Sequence, residues 1–559
     1  MIIPDFGHEP GCSGAGDRLW WRGATIYQIY LRSFADGNGD GVGDFPGATE
    51  RLGHVARLGV DAVWLSPFYP SPMKDFGYDV SDYTGVDPVF GDLRDFDAFV
   101  ARAHSLGLKV LIDQVWSHSS DEHSWFAESR ATRTGPLADW YVWADARPDG
   151  SPPNNWLSVF GGSAWTWEPR RRQYYLHHFL SCQPQFNLRN PAVRGALLDA
   201  ARFWLRRGVD GFRLDAVDFL AHSPCLTDNP PDAEARDAAR PFRMQRHVHD
   251  MLHRDNLTVL GELNGLLSEW PGRATLGEVS SEPGAVARCT RYTAASDGLL
   301  DMAYTLAVMK GSFSAESLSA AIAAEQAGHP DGWLCWAFSN HDVERVATRW
   351  RGGAADDRFS RMLMALLLVL RGSVCIYQGE ELGLPDADLP PSALQDPFGR
   401  AFWPTMRSRD GARTPFPWAE ESEHAGFTEG TPWLPVPDAH RLRAADRQWA
   451  DPGSVLMTTR ALLAFRRARP VLVSGDVSLI DAGPGLFAIE RRLGDARLRA
   501  VFNFGSDPRA CPPAEDGFIP VAPGGLQGPC DGMLPPYGIM IAETLAAAVP
   551  VISGQAAGE

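Results

Sequence analysis

The feature that most constrains this chain is a series of short, near-continuous apolar runs separated by amphipathic stretches. The runs are Ile26–Tyr30, Val60–Leu65, Lys109–Val115, Val209–Leu214, Ala274–Val279, Leu299–Tyr304, Trp333–Phe338 and Ser373–Tyr377. Uninterrupted Val/Ile/Leu content in so short a run is the mark of a strand buried on both faces, as in a parallel sheet. Stretches such as Leu93–Leu106 and Val193–Arg207 carry the spacing of helices between them. Eight strands with helices between them predict an α/β fold, a closed (β/α)8 barrel of the TIM type. An open, doubly wound sheet is the weaker alternative, because no GxGxxG follows a first strand.

Two connections are too long for simple turns. Residues 119–190 are rich in Trp, Pro, Asn and Gly and contain a strand-like piece, Gln173–Phe179; they are expected to form a domain inserted after strand three. About 380–452 forms a second insertion, after strand eight. The barrel itself is assigned to 18–118 and 191–453, residues 1–17 to a flexible tail, and 454–559 to a C-terminal all-β domain, a β-sandwich. That last segment opens with a helix, Val455–Arg467, and continues with strand-like Gly485–Arg491 and Leu498–Phe504.

Bulk properties exclude some partners. The formal net charge is −17, which disfavours nucleic acid and anionic membrane surfaces, since both demand a basic footprint. Met1–Gly16 has no basic n-region followed by an apolar core, and the longest apolar run, Met362–Leu370, is too short to span a bilayer. The eight cysteines are scattered with no CxxC, as expected of reduced thiols in a cytoplasmic protein. A neutral small-molecule substrate fits all of this; a monomer and a homodimer fit equally.

In a barrel, the C-terminal strand ends converge on one site. Strand three leads through Asp113 to His118, strand four ends Arg213-Leu-Asp215, strand five ends Gly277-Glu278, and strand seven runs into Asn340-His341-Asp342. Glycosidic bond cleavage needs one ionised carboxylate and one carboxyl group holding a proton. Arg213 lies two residues before Asp215, so both side chains share a strand face, and its guanidinium is expected to keep Asp215 ionised. Glu278 has no base near it in sequence, which suits a proton donor. Asp342 is a third carboxylate able to accept hydrogen bonds from ring hydroxyls.

The stretches Asp113-Gln-Val-Trp-Ser-His118, Gly211-Phe-Arg-Leu-Asp215, Gly277-Glu278-Val and Ser339-Asn-His-Asp342 resemble the sequence regions of family 13 glycoside hydrolases, the α-amylase family. Within it the chain is most similar to the α-glucosidase and oligo-1,6-glucosidase branch, from about Trp20 to the C-terminus. The resemblance implies Asp215 as nucleophile, Glu278 as acid/base and Asp342 as transition-state stabiliser, with retention of the α-anomer. It implies that His118 and His341 bind sugar hydroxyls and that Arg213 orients Asp215. Gly77-Tyr78-Asp79-Val-Ser-Asp-Tyr83 and Asp410-Gly-Ala-Arg413-Thr-Pro resemble further branch motifs, from which Asp79 and Arg413 are expected to pair and close the pocket around a terminal glucose, beside Tyr78. Gln183-Pro-Gln-Phe-Asn187 resembles a Gln-Pro-Asp-Leu-Asn signature, with Gln185 and Phe186 as departures; Gln183 and the nearby Phe179 are taken as substrate contacts.

Ser117 stands where the family usually has the Asn that binds calcium in amylases, so no ion is expected there. The loop Asp36-Gly-Asn38-Gly-Asp40-Gly-Val42-Gly-Asp44 places oxygens at alternate positions and resembles an EF-hand-type loop without its distal Glu. It is the expected structural calcium site, with magnesium as the alternative; no organic cofactor is expected. Ala216 follows the nucleophile. In this family α-1,6-specific members usually carry Val there, so Ala216 points to α-1,4 links. The expected activity is therefore an exo-acting α-glucosidase on short substrates such as maltose. The alternatives are a transglucosidase or a sucrose-cleaving or -isomerising enzyme on the same scaffold, and, more remotely, a non-catalytic binding subunit.

Overall fold

A computed structural model describes residues 19–235, 240–352, 356–513, 517–526 and 528–544. The 1–17 tail lies outside the described residues. Eight parallel strands, Thr25–Ile29, Ala62–Leu65, Lys109–Gln114, Gly211–Leu214, Ala274–Val279, Met302–Thr305, Cys335–Ala337 and Ser373–Tyr377, form one sheet in that sequence order. Strand eight pairs back onto strand one, and a parallel bridge from Ala303 to Leu334 joins strands six and seven. The sheet is thus a (β/α)8 barrel. All but one residue of these strands, Lys109, are buried, which is why the sequence shows apolar runs rather than alternation. Several strands start or stop one to three residues from their expected ends.

Gly211 shows how tightly the strands are laid. A Cβ there would stand 1.9 Å from the carbonyl oxygen of Ala274 and 2.8 Å from Leu111 Cδ2, at a φ of +157°. Strand four therefore begins on the one residue type that lets strands three and five approach, two positions before Arg213. Helices are fixed by their caps. Asp92 and Asp95 close a reciprocal capping box on Leu93–Ser105, Asn190 caps the helix that starts at Pro191, and Asp44 caps Phe45–Leu58.

The segment after strand three carries a three-stranded antiparallel sheet, Trp143–Ala144, Gln173–Leu176 and Trp165–Glu168. It folds over its own apolar cluster of Trp156, Trp165 and Leu176. At the C-terminus, Asp476–Leu479, Leu486–Leu493, Ala496–Asn503, Ile539–Thr544 and Phe518–Val521 make a five-stranded antiparallel sheet. A two-stranded ribbon, Arg509–Ala510 with Met533–Leu534, adds a second layer.

The structure differs from the sequence reading at the boundary between the two. Helix Val455–Arg467, grouped by sequence with the β domain, is bound to the barrel. Buried Arg466 donates to the carbonyls of Leu368, Leu370, Gly372 and Gly23. These bonds tie the helix to the barrel. The seven described cysteines are free, but only Cys289, Cys335 and Cys375 are buried, and Cys225 and Cys530 are exposed. No helix among the described residues is long and apolar enough to cross a membrane.

Candidate active site

At the C-terminal mouth of the barrel lies a cavity of about 390 Å³. Asp215, Glu278 and Asp342 all open into it, together with Tyr78, His118, Phe179, Gln183 and Ala216. These residues come from strands or loops two, three, four, five and seven, so only closure of the barrel could assemble them.

Arg213 is the electrostatic centre. It is fully buried, donates from Nη1 to both oxygens of Asp113 at 2.7 and 2.9 Å and to Asp215 Oδ1 at 2.8 Å, and sets Nη2 2.6 Å from Glu278 Oε2 and 2.7 Å from Tyr304 Oη. Its guanidinium lies 4.8 Å from the centre of the Trp64 ring. Glu278 is therefore not without a base, as its sequence neighbourhood suggested; it shares one guanidinium with Asp215. Burial, more than any neighbouring charge, pushes the Asp215 carboxyl well above the usual range. Arg213 pulls it back, while Glu278, Asp113 and Asp342 push it up again. The expectation that Arg213 alone sets Asp215 ionised is corrected accordingly: the cation is divided among three carboxylates.

Asp342 is placed differently. Burial pushes it up, but His341, Arg409 and Arg413 outweigh that and hold it well below the usual carboxylate range. Arg409 and Arg413 reach the same oxygen, Oδ1, at 2.8 and 2.7 Å, and Oδ2 lies 3.4 Å from His341 Nε2.

The two histidines are neutral donors. Burial lowers His118 to about 4 and His341 to about 3. His341 is stacked between Tyr30 and Tyr78, with ring centres 5.4 and 5.3 Å away. Gln28 Nε2 lies 2.8 Å from its Nδ1. An amide nitrogen can only donate, so Nδ1 accepts and the proton sits on Nε2. That buried Nε2 makes no hydrogen bond and lies 3.4 Å from Asp342 Oδ2. His118 is held by Ser117 Oγ at 2.8 Å and by the Tyr78 carbonyl at 3.0 Å. The serine that replaces the family's asparagine thus orients a histidine.

The expected Asp79–Arg413 pair does not form. Asp79 is completely buried and accepts from the backbone amides of Lys74 and Asp75 and from Ser71 Oγ. It shapes its own turn and is absent from the cavity wall. The pair that does form is Asp75 with Arg409, at 2.8 Å, and Arg409 also binds Asp396 at 2.7 Å and Asp342. Gln183 Nε2 reaches the other oxygen of Asp75 at 3.1 Å. Asp75, Arg409, Asp342 and Gln183 all line the cavity and are joined there by these contacts. Arg413 lies beneath Asp342, donating to it and to the His341 carbonyl.

Phe179 packs against His118 and Phe219, with ring centres 5.1 Å away in each case. The two departures next to it are both accommodated inside the protein. Gln185 meets His178 Nδ1 at 3.0 Å and donates to the Phe219 carbonyl at 2.8 Å, while Phe186 is 1% exposed among Tyr83, Trp125 and Tyr141. Ala216 sits in the left-handed region, at φ 43° and ψ 51°, and its amide donates to Glu278 Oε2 at 3.3 Å. Asp75, Arg409, Asp113, Tyr304 and Gln28 are the site residues that sequence reasoning left out. Only Asp113, inside a quoted motif, had a signal of its own.

The 36–44 loop is wound around its own oxygens. Asp36 accepts from the amides of Asn38, Gly39 and Gly41, Asn38 from Asp40, Asp40 from Val42, and Asp44 from Gly37, Asn38 and Gly47. Among the described residues no Lys or Arg forms an ion pair with Asp36, Asp40 or Asp44. A cation would therefore supply the missing charge, with Asp36, Asn38, Asp40, Asp44 and the Val42 carbonyl as hard oxygen donors. Among the described residues no three Asp, Glu, His or Cys side chains converge as a metal shell would, so the fit rests on the chemistry of the donor set.

Comparison with known proteins agrees with the geometry. The family model described as the alpha amylase catalytic domain matches residues 28–475. A curated protein of Rhizobium meliloti described as a probable alpha-glucosidase is 49% identical over 499 residues, covering 88% of this chain and 90% of that protein. An oligo-1,6-glucosidase of Halalkalibacterium halodurans is 34% identical over 526 residues, covering 87% and 90%. The crystal structure of an alpha-glucosyl transfer enzyme superposes with a TM-score of 0.90 at 49% identity, covering 94% of this chain and 99% of that one. By motif, fold and alignment over most of its length, this chain belongs to the α-amylase family and is a glycoside hydrolase.

Proposed function

We propose that the protein is a retaining, exo-acting α-glucosidase that releases α-glucose from the non-reducing end of short α-1,4-linked glucosides such as maltose. The observation that carries this reading is the ion-paired set Asp75, Arg409 and Asp342 in the cavity wall. In this reading a terminal glucose seats against that set, which stands in the way of a continuing glucan chain. Asp215 and Glu278 share one guanidinium in a buried site, and in this reading they divide the two roles that the reaction needs. Glu278 acts as the acid, passing a proton to the glycosidic oxygen as the bond to the anomeric carbon breaks. Asp215 attacks the same carbon, giving a β-glucosyl ester. Water then loses a proton to Glu278 and displaces Asp215, and two inversions give net retention. Asp342, ionised and anchored, binds ring hydroxyls together with His118 and His341 and stabilises the oxocarbenium-like transition state.

Linkage preference rests on Ala216. In a left-handed backbone the small side chain is tolerated, while a β-branched one is strained. A Val there would crowd the site beside Glu278, on the side of the leaving sugar. The test is a comparison of kcat/KM on maltose and isomaltose. Maltose is expected to be the better substrate; a higher value for isomaltose removes the α-1,4 assignment while leaving the glucosidase reading intact.

Transglucosylation is supported as a second outcome by the cavity wall. Phe219, Phe242, Met251, Phe398 and Met406 line it, and apolar surface favours a bound sugar acceptor over water at the glucosyl ester. The transfer enzyme similar to this chain accords with that.

The 36–44 loop is proposed to hold calcium as a structural ion. Gly41 lies against Thr431, where a Cβ would come within 1.9 Å of the carbonyl oxygen, and Thr428 Oγ1 donates to Asp36 at 2.5 Å. An ion there fixes the loop to the insertion that also carries Arg409. Calcium at a hundredfold its Kd should add about 2.7 kcal/mol to stability. Chelation should therefore lower Tm and added calcium restore it; a Tm indifferent to both removes the ion from the account.

A further inference from the structure

The loop after strand four reaches the cavity through Phe242, on the short turn Pro241–Met244. No residue of that turn is buried and no side chain caps it. Between 240 and 250 the buried residues are His247 and Asp250. The ring of His247 lies almost flat against that of Phe242, with centres 3.7 Å apart and planes at 17°. Phe242 faces Phe219, 6.4 Å away, and both line the cavity. Phe219 follows closely on Ala216, whose amide reaches Glu278. The two rings therefore stand on the side where the proposed acid meets the leaving group.

Both nitrogens of His247 meet acceptors. Nδ1 lies 2.7 Å from Asp250 Oδ2, and Nε2 lies 2.7 Å from the carbonyl oxygen of Phe242. A carbonyl can only accept, and so can an ionised carboxylate. A neutral imidazole has one N–H and makes one of these bonds; the imidazolium makes both. Burial pushes the Asp250 carboxyl up, but His247 outweighs that and holds it below the usual range. Burial likewise pulls His247 down, and Asp250, the Phe242 carbonyl and Glu282 on the cavity rim together hold it above the ordinary histidine value. The other ionisable groups around the pair are His178 and Arg288. His178 lies 2.7 Å from the Asp250 carbonyl and 3.0 Å from Gln185 Oε1, but no carboxylate touches its ring and burial lowers it. Arg288 pairs with Asp218 at 3.2 Å and acts on Glu282. A cation lying on the face of Phe242 also attracts the ring itself.

We propose that His247 is a positioning residue, an imidazolium that fastens Phe242 to the leaving-group side of the cleft, so that loss of its proton loosens the grip on an aglycone. The inference rests on the α-glucosidase reading and adds to it a residue outside the cavity lining. At low pH both bonds are made. As pH rises through the titration of His247, one bond is lost, and with it the cation against the ring. The folded protein holds this proton more tightly than a free histidine does, so the loss falls above about pH 6.5.

The test follows kcat/KM against pH for 4-nitrophenyl α-glucoside, whose aryl ring can reach Phe242, and for α-glucosyl fluoride, whose leaving group cannot. Ionisation of Asp215 bears on both substrates, so their ratio reports the leaving-group side. In the wild type the ratio of aryl glucoside to fluoride should fall about three- to tenfold as pH rises above about 6.5, the scale of one charge-assisted hydrogen bond. His247→Gln should show the low ratio at every pH. Hydrogen–deuterium exchange at the His247 ring C2 position, read by mass spectrometry on the unaltered protein, should give a titration above that of a free histidine. A ratio that is flat with pH, a fall that survives in His247→Gln, or a His247 titration at or below the free value overturns this role and leaves the glucosidase reading standing. Failure to cleave either compound overturns both.

Discussion

Asp215→Asn should lose glucosidase activity by on the order of 10⁴-fold or more in kcat, the scale seen when a nucleophile is removed from an otherwise intact site. The substitution keeps the shape of the side chain and removes its nucleophilic oxygen anion. It should leave the fold in place, because Arg213 keeps both oxygens of Asp113 and its contact with Glu278. Glucose release by the variant is compared with that of the wild type while circular dichroism and Tm report on folding. A folded variant with more than a tenth of wild-type kcat rules out Asp215 as nucleophile. The same protein would then bring forward the reading of the barrel as a binding subunit.

Arg409→Ala should have the second largest effect, and on stability as well as activity. Three carboxylates, Asp75, Asp342 and Asp396, are paired with this guanidinium, and Asp75 and Asp396 are buried while Asp342 is partly exposed. Removing one partner of a buried ion pair leaves uncompensated charge and costs about 3–5 kcal/mol. Arg413 still holds Asp342, so part of the site survives. Urea denaturation should show the loss, and kcat/KM on maltose should fall with it as the wall against the terminal glucose opens. Arg413→Ala provides the contrast. It removes support beneath Asp342 but leaves Asp75 paired, so it should not widen the pocket to longer glucans as Arg409→Ala does. Equal behaviour of the two variants on longer malto-oligosaccharides would return the closing role to Arg413.

That contrast also shows what the sequence could reveal. The barrel was legible because doubly buried strands leave uninterrupted apolar runs. Asp215, Glu278 and Asp342 were legible because strand ends converge, a rule that needs no side-chain detail. The closing pair was misread by four residues on both of its sides, and the cause is physical. Arg409 and Arg413 are one helical turn apart across the short helix Asp410–Arg413, so both guanidinium groups point at Asp342. Asp79 accepts from the amide of Asp75, so both aspartates lie in a single tight turn, but only the first faces the cavity. Spacing of that kind cannot say which member of each pair reaches across.

The division of Arg213 among Asp113, Asp215 and Glu278 was hidden for another reason. It depends on contacts between strands three, four and five that are far apart in sequence. Charge balance in a barrel mouth is a property of the closed ring, and only part of it is written in any one strand.

The central claim is that cleavage proceeds through a β-glucosyl ester on Asp215. The most direct test is ¹H NMR of the glucose released from 4-nitrophenyl α-glucoside, whose leaving group is not a sugar, recorded before mutarotation equilibrates the anomers. The account predicts α-glucose as the initial product; β-glucose would mean single displacement by water and would contradict it.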